Sequence, residues 1–302
     1  MPDTLLHIVL IVVMPPLLLG VIAKTKAAFA GRTGAPFLQP YYDLSRLLRK
    51  GTVTSDTTTL IFRSGPVITL AATLFAALLV PLGKHAAPVS FEGDMILFAY
   101  LFALGRFFTT LAALDTGSSF EGMGAAREVS FACLAEPTLF FALITMTRLS
   151  GTLSLTPMLN YLSPSVWMGT GAALLLLLAG LYIVLLAENC RIPFDDPTTH
   201  LELTMIHEVM VLDHSGPYFG CILYGAALKL YLLGALFMNI ALPLTSGNSV
   251  ADWGLFILSM LILAVSIGIV ESVMARLRLI RIPQLLIAAM ILTAFSFVLV
   301  VR

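Results

Sequence analysis

Eight apolar segments of about 20 residues divide this chain, and each is long enough to cross the hydrocarbon core of a bilayer as a helix. Lipid offers the backbone no hydrogen-bond partners, so such segments satisfy their own peptide groups by forming helices. The segments span residues 5–23, 65–83, 95–114, 129–147, 166–187, 219–244, 253–274 and 282–301. The sequence therefore predicts an all-α membrane protein, with residues 1–302 forming one polytopic membrane domain.

Composition excludes several other classes of protein. Hydrophobic residues make up 59% of the chain and charged residues 11%, which no ordinary soluble domain shows. The 17 basic and 17 acidic residues balance, and no basic block predicts a nucleic-acid partner. Cys133, Cys190 and Cys221 lack CxxC spacing, which argues against an iron–sulfur cluster or a disulfide framework. The lipid bilayer is thus the first predicted partner.

The first apolar segment has two features of its own. It lacks a basic leading region and a small-residue cleavage site, so we expect a retained span rather than a cleaved signal peptide. It also contains Pro15 and Pro16, which predict a kink or local unwinding whose freed carbonyls neighbouring helices satisfy. No internal repeat is visible along the chain, which disfavours a transporter built from inverted halves.

Basic residues predict the orientation in the membrane. Twelve of them fall on one side of the predicted spans and three, Lys84, Arg148 and Arg302, on the other. The richer side is predicted to be cytoplasmic by the positive-inside rule, which leaves both termini outside. The twelve are Lys24, Lys26, Arg32, Arg46, Arg49, Lys50, Arg63, Arg127, Arg191, Arg276, Arg278 and Arg281.

The basic cytoplasmic loop, residues 24–63, contains a candidate amphipathic interfacial helix. Pro40 can open it and Gly51 can end it, while Leu44, Leu47 and Leu48 form an apolar stripe at helical spacing. Two interpretations remain open: the helix binds lipid headgroups, or it docks a soluble partner.

The longest polar interval is the predicted acidic cytoplasmic loop, residues 188–218. Asp196 and Pro197 are typical of a helix start, and the pattern predicts a helix that continues to the Ser215 breaker. His200 and His207 lack HxxxH or HExxH spacing, which favours satisfied polar or surface histidines over a metal motif. A plain solvated connector is the alternative. The six acidic residues here are Glu188, Asp195, Asp196, Glu202, Glu208 and Asp213.

Four charged residues fall inside predicted spans: Arg106, Glu136, Lys229 and Glu271. Each costs roughly 2.5–3.5 kcal/mol on insertion scales if it faces lipid, so each must face protein or water. Structural ion pairs could account for some of them. Together with the acidic loop, they favour a proton or ion path.

These residues resemble a known family, the H-type core membrane subunit of respiratory complex I. ENCRIPFD at 188–195 is similar to that family's AETNRTPFD-type signature. Four further stretches agree in order: GRTGAPFLQPYYDLSRLLRK at 31–50, LDTGSSFEGMGAARE at 114–128, AEPTL at 135–139 and ESVMARLRL at 271–279. The LDTGS and MARLRL versions resemble the branch found in membrane-bound nickel–iron hydrogenases, such as formate hydrogenlyase and hydrogenase-4.

The resemblance implies roles for individual residues. Glu136 matches the family's intramembrane glutamate, and the acidic loop of the family corresponds to the one here. Thr198 and His200 stand where many members have glutamates, and Asp213 and His214 replace Glu and Tyr, so the acidic funnel is thinner than usual. We expect a proton or ion path through Glu136, Glu188, Glu202, Glu208, Asp213, Lys229 and Glu271. Docking or coupling is expected of Arg32, Arg46, Arg49, Arg127, Glu128, Arg191 and Asp195.

The function that the resemblance implies is membrane anchoring and energy coupling in a hydrogenase-like complex of the inner (plasma) membrane. This chain is expected to hold no cofactor, with a Ni–Fe centre and iron–sulfur clusters in peripheral partner subunits and antiporter-like subunits beside it in the membrane. The alternative is a quinone-chamber subunit of NADH-quinone oxidoreductase, which adds a bound quinone. A stand-alone transporter or channel is the third class, and the sequence shows no selectivity signature for it.

The basic-residue distribution generates a topology prediction. Reporter fusions after Arg302 should report a location outside the cytoplasm, and a cysteine introduced near Lys50 should resist an impermeant external label. A cytoplasmic signal after Arg302, or labelling near Lys50 in intact cells, would contradict the orientation.

Overall fold

The computed structural model describes residues 2–195, 205–243 and 245–302. Within these residues, eight helices are long and apolar enough to cross a membrane, which confirms the predicted number and order of spans. They are α1 (Pro2–Phe29), α3 (Leu60–Leu79), α4 (Asp94–Asp115), α5 (Ser119–Ser150), α7 (Pro164–Glu188), α8 (Gly216–Ala241), α9 (Ser249–Val273) and α10 (Ile282–Val301). Two shorter helices, α2 (Gln39–Arg49) and α6 (Leu155–Asn160), lie between spans.

The central element of the bundle is α8, which is the most buried span. It packs against α1, α3, α7 and α9, while α10 packs against α5 and α7 and α3 pairs with α4. Small residues allow the closest of these approaches: a Cβ on Gly180 of α7 would lie 2.9 Å from the carbonyl oxygen of Ala289 on α10. The least buried spans are α4 and α10, most of whose surface faces outward.

The predicted amphipathic helix is present as α2, beginning one residue before Pro40. Its Leu44 and Leu47 are half-buried, whereas Leu48 and the basic Arg46 and Arg49 are exposed. The helix packs along α8, where Leu47 and Leu48 approach Gly220. The apolar stripe therefore packs partly against the protein and is partly exposed at its surface.

The two ends of the bundle carry different polar contacts. At the end where α1 begins, Asp3 accepts hydrogen bonds from Ser249 and from the Trp253 indole. At the other end of α1, Lys26 forms an ion pair with Glu271 at 2.9 Å, and Arg276 pairs with Asp195 at 2.8 Å. The termini and the basic intervals thus lie at opposite ends, as the predicted topology requires.

The Pro15–Pro16 pair does not interrupt α1, which continues as one helix to Phe29. Because proline has no N–H, these residues leave the carbonyls of Ile11 and Val12 without their helical donors. The hydroxyl of Tyr224 on α8 donates to both, at 3.2 and 3.3 Å. Tyr41 of α2 donates to the next carbonyl, that of Val13. The expected satisfaction by neighbouring helices is confirmed, and of the two expected distortions, a kink or local unwinding, the helix shows no unwinding.

This contact generates a stability prediction. Tyr224→Phe keeps the ring but removes the donor, so we expect a loss of about 1 kcal/mol, measured as a lower unfolding midpoint in detergent. Tyr100→Phe is the matched control, because Tyr100 is 69% exposed on α4. Equal midpoints for the two variants would show that Tyr224 contributes nothing through its hydroxyl.

Candidate functional site

The site is built where α7 ends. Cys190 N–H donates to the Ala187 carbonyl and Arg191 N–H to the Leu186 carbonyl, the two bonds of a Schellman cap. This cap requires one residue in the left-handed backbone conformation, which is usually glycine. Here it is Cys190, with φ +50°. The turn reverses the chain and places the residues after α7 against the interior of the bundle.

The segment from Met205 to Val211 differs from the sequence prediction. A continuous α-helix was expected here, but the described part of it contains only a short 3₁₀ helix, Glu208–Val211. Its expected start, Asp196 and Pro197, and the site candidate Glu202 lie outside the described residues. Tertiary hydrogen bonds replace helical ones: Ile206 N–H donates to the Asp195 carboxylate, and the Arg127 guanidinium donates to the Met205 carbonyl.

Close packing fixes this segment against α5. A Cβ on Gly124 would lie 2.3 Å from Val209 Cγ1 and 2.9 Å from the Ile206 carbonyl oxygen, so only glycine permits the approach. Val209 and Met210 are fully buried behind it. The segment therefore forms part of the bundle wall and brings His207 to the same place as the end of α7.

The central charge cluster is organised by Glu188, the last residue of α7. Arg106 on α4 donates through Nη2 to both carboxylate oxygens of Glu188, at 2.7 and 2.6 Å. Lys229 on α8 lies 2.6 Å from the same carboxylate. Arg106 also pairs through Nη1 with Glu136 and lies 3.8 Å from Glu128, both on α5. Four membrane spans thus contribute to one cluster of two cations and three carboxylates.

A second cluster lies closer to the basic end of the bundle. Glu271 on α9 has a fully buried side chain, and it pairs with Lys26 on α1 at 2.9 Å and with Arg191 at 3.3 Å. Asp195, four residues after Arg191, pairs with Arg276. The chain that follows α7 therefore carries charges into both clusters.

Two cavities flank the turn at Cys190. The inner cavity, of about 80 Å³, is bounded by Arg106, Glu128, Glu188 and Lys229. The outer cavity, of about 190 Å³, is bounded by Arg191, Glu208 and apolar residues of α8. Each volume suffices for several water molecules. The residues that line both cavities, and so separate them, are Asn189, Cys190, His207, Ile222 and Ala226.

Burial controls the protonation of the groups in this partition. It raises the pKa of the Cys190 thiol well above its usual value, to which the carboxylates nearby, Glu128 and Asp195, also contribute. It lowers the pKa of His207 below its usual 6.5. Near neutral pH the partition therefore presents a thiol and a neutral imidazole.

The residues predicted for an ion path do not all meet. Glu136, Glu188 and Lys229 join the central cluster, Glu271 joins the second, and Glu208 borders the outer cavity. Asp213 is exposed, and its backbone N–H donates to Glu121.

The residues predicted for docking or coupling separate into two groups. Arg32, Arg46 and Arg49 are exposed. Arg127, Glu128, Arg191 and Asp195 instead make contacts within the chain.

Sequence reasoning did not select several residues that the geometry brings to the clusters. Arg106 is the most connected of them; it was recognised as a charge inside an apolar span but was not included in the predicted path. Lys26 and Arg276 were counted only toward orientation. Cys190 and His207 carried no signal, because their proximity depends on the turn after α7.

His214 occupies a separate buried position before α8. Its imidazole stacks on the ring of Phe62, with the ring centroids 3.9 Å apart. Burial lowers its pKa to about 4. This histidine is therefore neutral in the folded protein under conditions where an exposed histidine is half charged.

Comparison with known proteins agrees with this architecture. The model of the family described as NADH dehydrogenase matches residues 3–302. Hydrogenase-4 component C of Escherichia coli (strain K12) is 29% identical over 96% of this chain and 92% of its own length. Formate hydrogenlyase subunit 4 of the same organism is 28% identical over 93% and 92%. A chain of the membrane-bound sulfane sulfur reductase, an archaeal respiratory membrane complex, has the same fold, with a TM-score of 0.83, 23% identity and 98% coverage of both chains.

The depressed pKa of His214 generates a pH prediction. Between pH 6.5 and about 4 the unfolded chain binds a proton that the folded chain does not, so this contribution to stability is lost as pH falls through that window. His214→Gln should lose less stability than the wild type on acidification, measured by thermal unfolding at several pH values. Tyr218→Phe, which changes no group that titrates in this range, should follow the wild type. Parallel curves for His214→Gln and wild type would contradict the assignment.

Proposed function

We propose, because this chain belongs to the NADH dehydrogenase family, that it couples a redox reaction in a peripheral arm to ion movement through the membrane. The observation that carries the proposal is the central charge cluster. Charges are costly inside a bilayer, and a buried ion pair is often no more stable than apolar residues of the same volume. Five charged residues gathered from four spans therefore suggest a role beyond holding the bundle together.

The titratable groups are arranged in an order that suits a proton relay. Arg191 and Glu208 line the outer cavity, Cys190 and His207 lie in the partition, and Glu188 and Lys229 line the inner cavity. From there Arg106 connects to Glu136. A guanidinium stays protonated, so Arg106 is proposed to position the carboxylates, while the carboxylates and Lys229 exchange protons.

Glu136 is the outlet that we propose for this relay. Its side chain retains 40% of its exposure, whereas those of Glu188 and Arg106 retain 9% and 11%. Glu136 therefore lies at the edge of the bundle, where a neighbouring subunit in the membrane would meet it. An antiporter-like neighbour is the partner that we propose for this edge.

Two redox partners are considered for the peripheral arm. The similarity to hydrogenase-4 component C and formate hydrogenlyase subunit 4 favours a nickel–iron hydrogenase with iron–sulfur subunits. The name of the family supports the alternative, a quinone-reducing NADH oxidoreductase. We propose that the arm docks on the cytoplasmic side of the inner membrane, near the exposed Arg32, Arg46 and Arg49, with both termini outside. The subunits that co-purify with the chain distinguish the two alternatives. Nickel in those subunits favours the hydrogenase, whereas a flavin that NADH reduces favours the NADH oxidoreductase.

The test of coupling is Glu136→Gln in the purified complex, reconstituted in vesicles. Glutamine keeps the shape and hydrogen bonding but cannot carry the proton, so we expect redox turnover to continue while the ion gradient built per turnover falls at least several-fold. Glu92→Gln is the control, because Glu92 lies exposed outside the spans. Unchanged pumping per electron in Glu136→Gln would remove Glu136 from the path, and lower yield with unchanged pumping would show a structural role.

A further inference from the structure

We propose that Glu128, Cys190 and His207 form a binding site for a divalent transition metal of the zinc class, located in the partition between the two cavities. One ligand atom from each residue lies within 4.8 Å of the others. The site goes beyond the proposed function, because it assigns a metal ligand set to these three residues and is tested without ion movement.

The geometry is close to that of a metal site. In a tetrahedral zinc site with bonds of 2.0–2.3 Å, neighbouring ligand atoms are about 3.3–3.8 Å apart. A separation of up to 4.8 Å therefore requires each side chain to move by roughly 1 Å or less, which rotamer adjustment can supply. The three residues come from α5, from the turn after α7 and from the segment before α8, so histidine spacing along the chain does not indicate the site.

The ligand types select the class of metal. A thiol sulfur, an imidazole nitrogen and a carboxylate oxygen suit Zn²⁺, whereas Ca²⁺ and Mg²⁺ prefer oxygen ligands alone. Three protein ligands leave one tetrahedral position open, and the inner cavity beside them provides the volume for a water or an incoming group.

The side chains of Glu128, Cys190 and His207 make fewer or longer polar contacts than the other polar groups around them. Glu188, Asp195 and Glu271 each have a cationic partner within 2.9 Å. Glu128 has only a longer ion pair among the described residues, with Arg106 at 3.8 Å. Among the described residues, the structure gives the Cys190 thiol and the His207 imidazole no hydrogen bond, and both residues line the two cavities.

The surrounding charges can accommodate the ion. Arg106 and Lys229 repel a divalent cation, but they are compensated by the carboxylates of Glu128, Glu136 and Glu188, with one negative charge in excess. Zn²⁺ together with a thiolate from Cys190 contributes one net positive charge. The excess carboxylate charge balances it.

Occupancy has a consequence for the relay. The metal draws Glu128 away from Arg106 and fixes Cys190 to His207, two residues that line both cavities. The partition between the two cavities is then held in one arrangement.

The first experiment measures metal content in the assembled complex. Purified complex is equilibrated with Zn²⁺, freed of unbound metal and analysed for zinc by mass spectrometry. The wild type should carry one zinc per chain more than Cys190→Gly, and His207→Gln should show the same loss. Glycine suits the left-handed backbone at this position, so the variant removes the thiol without disturbing the cap. Cys221→Ser, which replaces another half-buried cysteine, should keep the wild-type zinc content. Equal zinc in wild type and Cys190→Gly would overturn the proposal.

The second experiment needs no variant at the site. It therefore tests the metal site even if the substitutions prevent assembly of the complex. A small methanethiosulfonate reagent is applied to wild-type complex with and without Zn²⁺, and modification of each cysteine peptide is followed by mass spectrometry. Zinc should slow modification of Cys190 at least several-fold and leave Cys221 unchanged. Equal rates at Cys190 with and without zinc would overturn the site. Both readouts are taken without turnover, so failure of the relay proposal does not affect them.

Discussion

The charged residues inside this protein are arranged around a single carboxylate, that of Glu188. Arg106 from α4 and Lys229 from α8 both bind it, within 2.7 Å. In a low-dielectric interior, removing one partner of such a group leaves an uncompensated charge, which costs about 3–5 kcal/mol. The contact therefore favours one arrangement of α4, α7 and α8 around the Glu188 carboxylate.

The position of Glu188 in its helix explains why the charges gather there. It is the last helical residue of α7, followed by a left-handed turn that returns the chain into the bundle. Arg191 and Asp195 consequently extend to Glu271 and Arg276 rather than into solvent. The loop after α7 is thus a buried connector between two charge clusters, and the plain solvated connector does not describe its residues 189–195.

Much of the fold could be predicted from the sequence, because lipid imposes simple rules. Apolar length identified the eight spans, and helical spacing of leucines identified α2. The conformation of the acidic segment was harder to predict. In its described part, from Met205 onward, hydrogen bonds to Asp195 and Arg127 stabilise a conformation that differs from the helix its sequence pattern predicts.

Only part of the candidate site could be predicted from the sequence, because its geometry also depends on tertiary contacts. Buried charges such as Glu136 and Lys229 are conspicuous in apolar spans, but their partners are determined by packing. The contacts that Arg127 and Asp195 make within the chain could not be predicted, because the sequence does not show that the chain turns inward after α7. The proximity of Cys190 to His207 was invisible for the same reason.

The tyrosine that satisfies the proline-freed carbonyls of α1 also sets the rotation of α8 about its own axis. Tyr224 must face α1 to reach Ile11 and Val12. Lys229 follows five residues later, which is about 140° further around an α-helix. With Tyr224 fixed on α1, Lys229 is directed to the side of α8 where Glu188 lies. Two prolines at one side of the bundle thus help to determine the angular setting of a lysine at its centre.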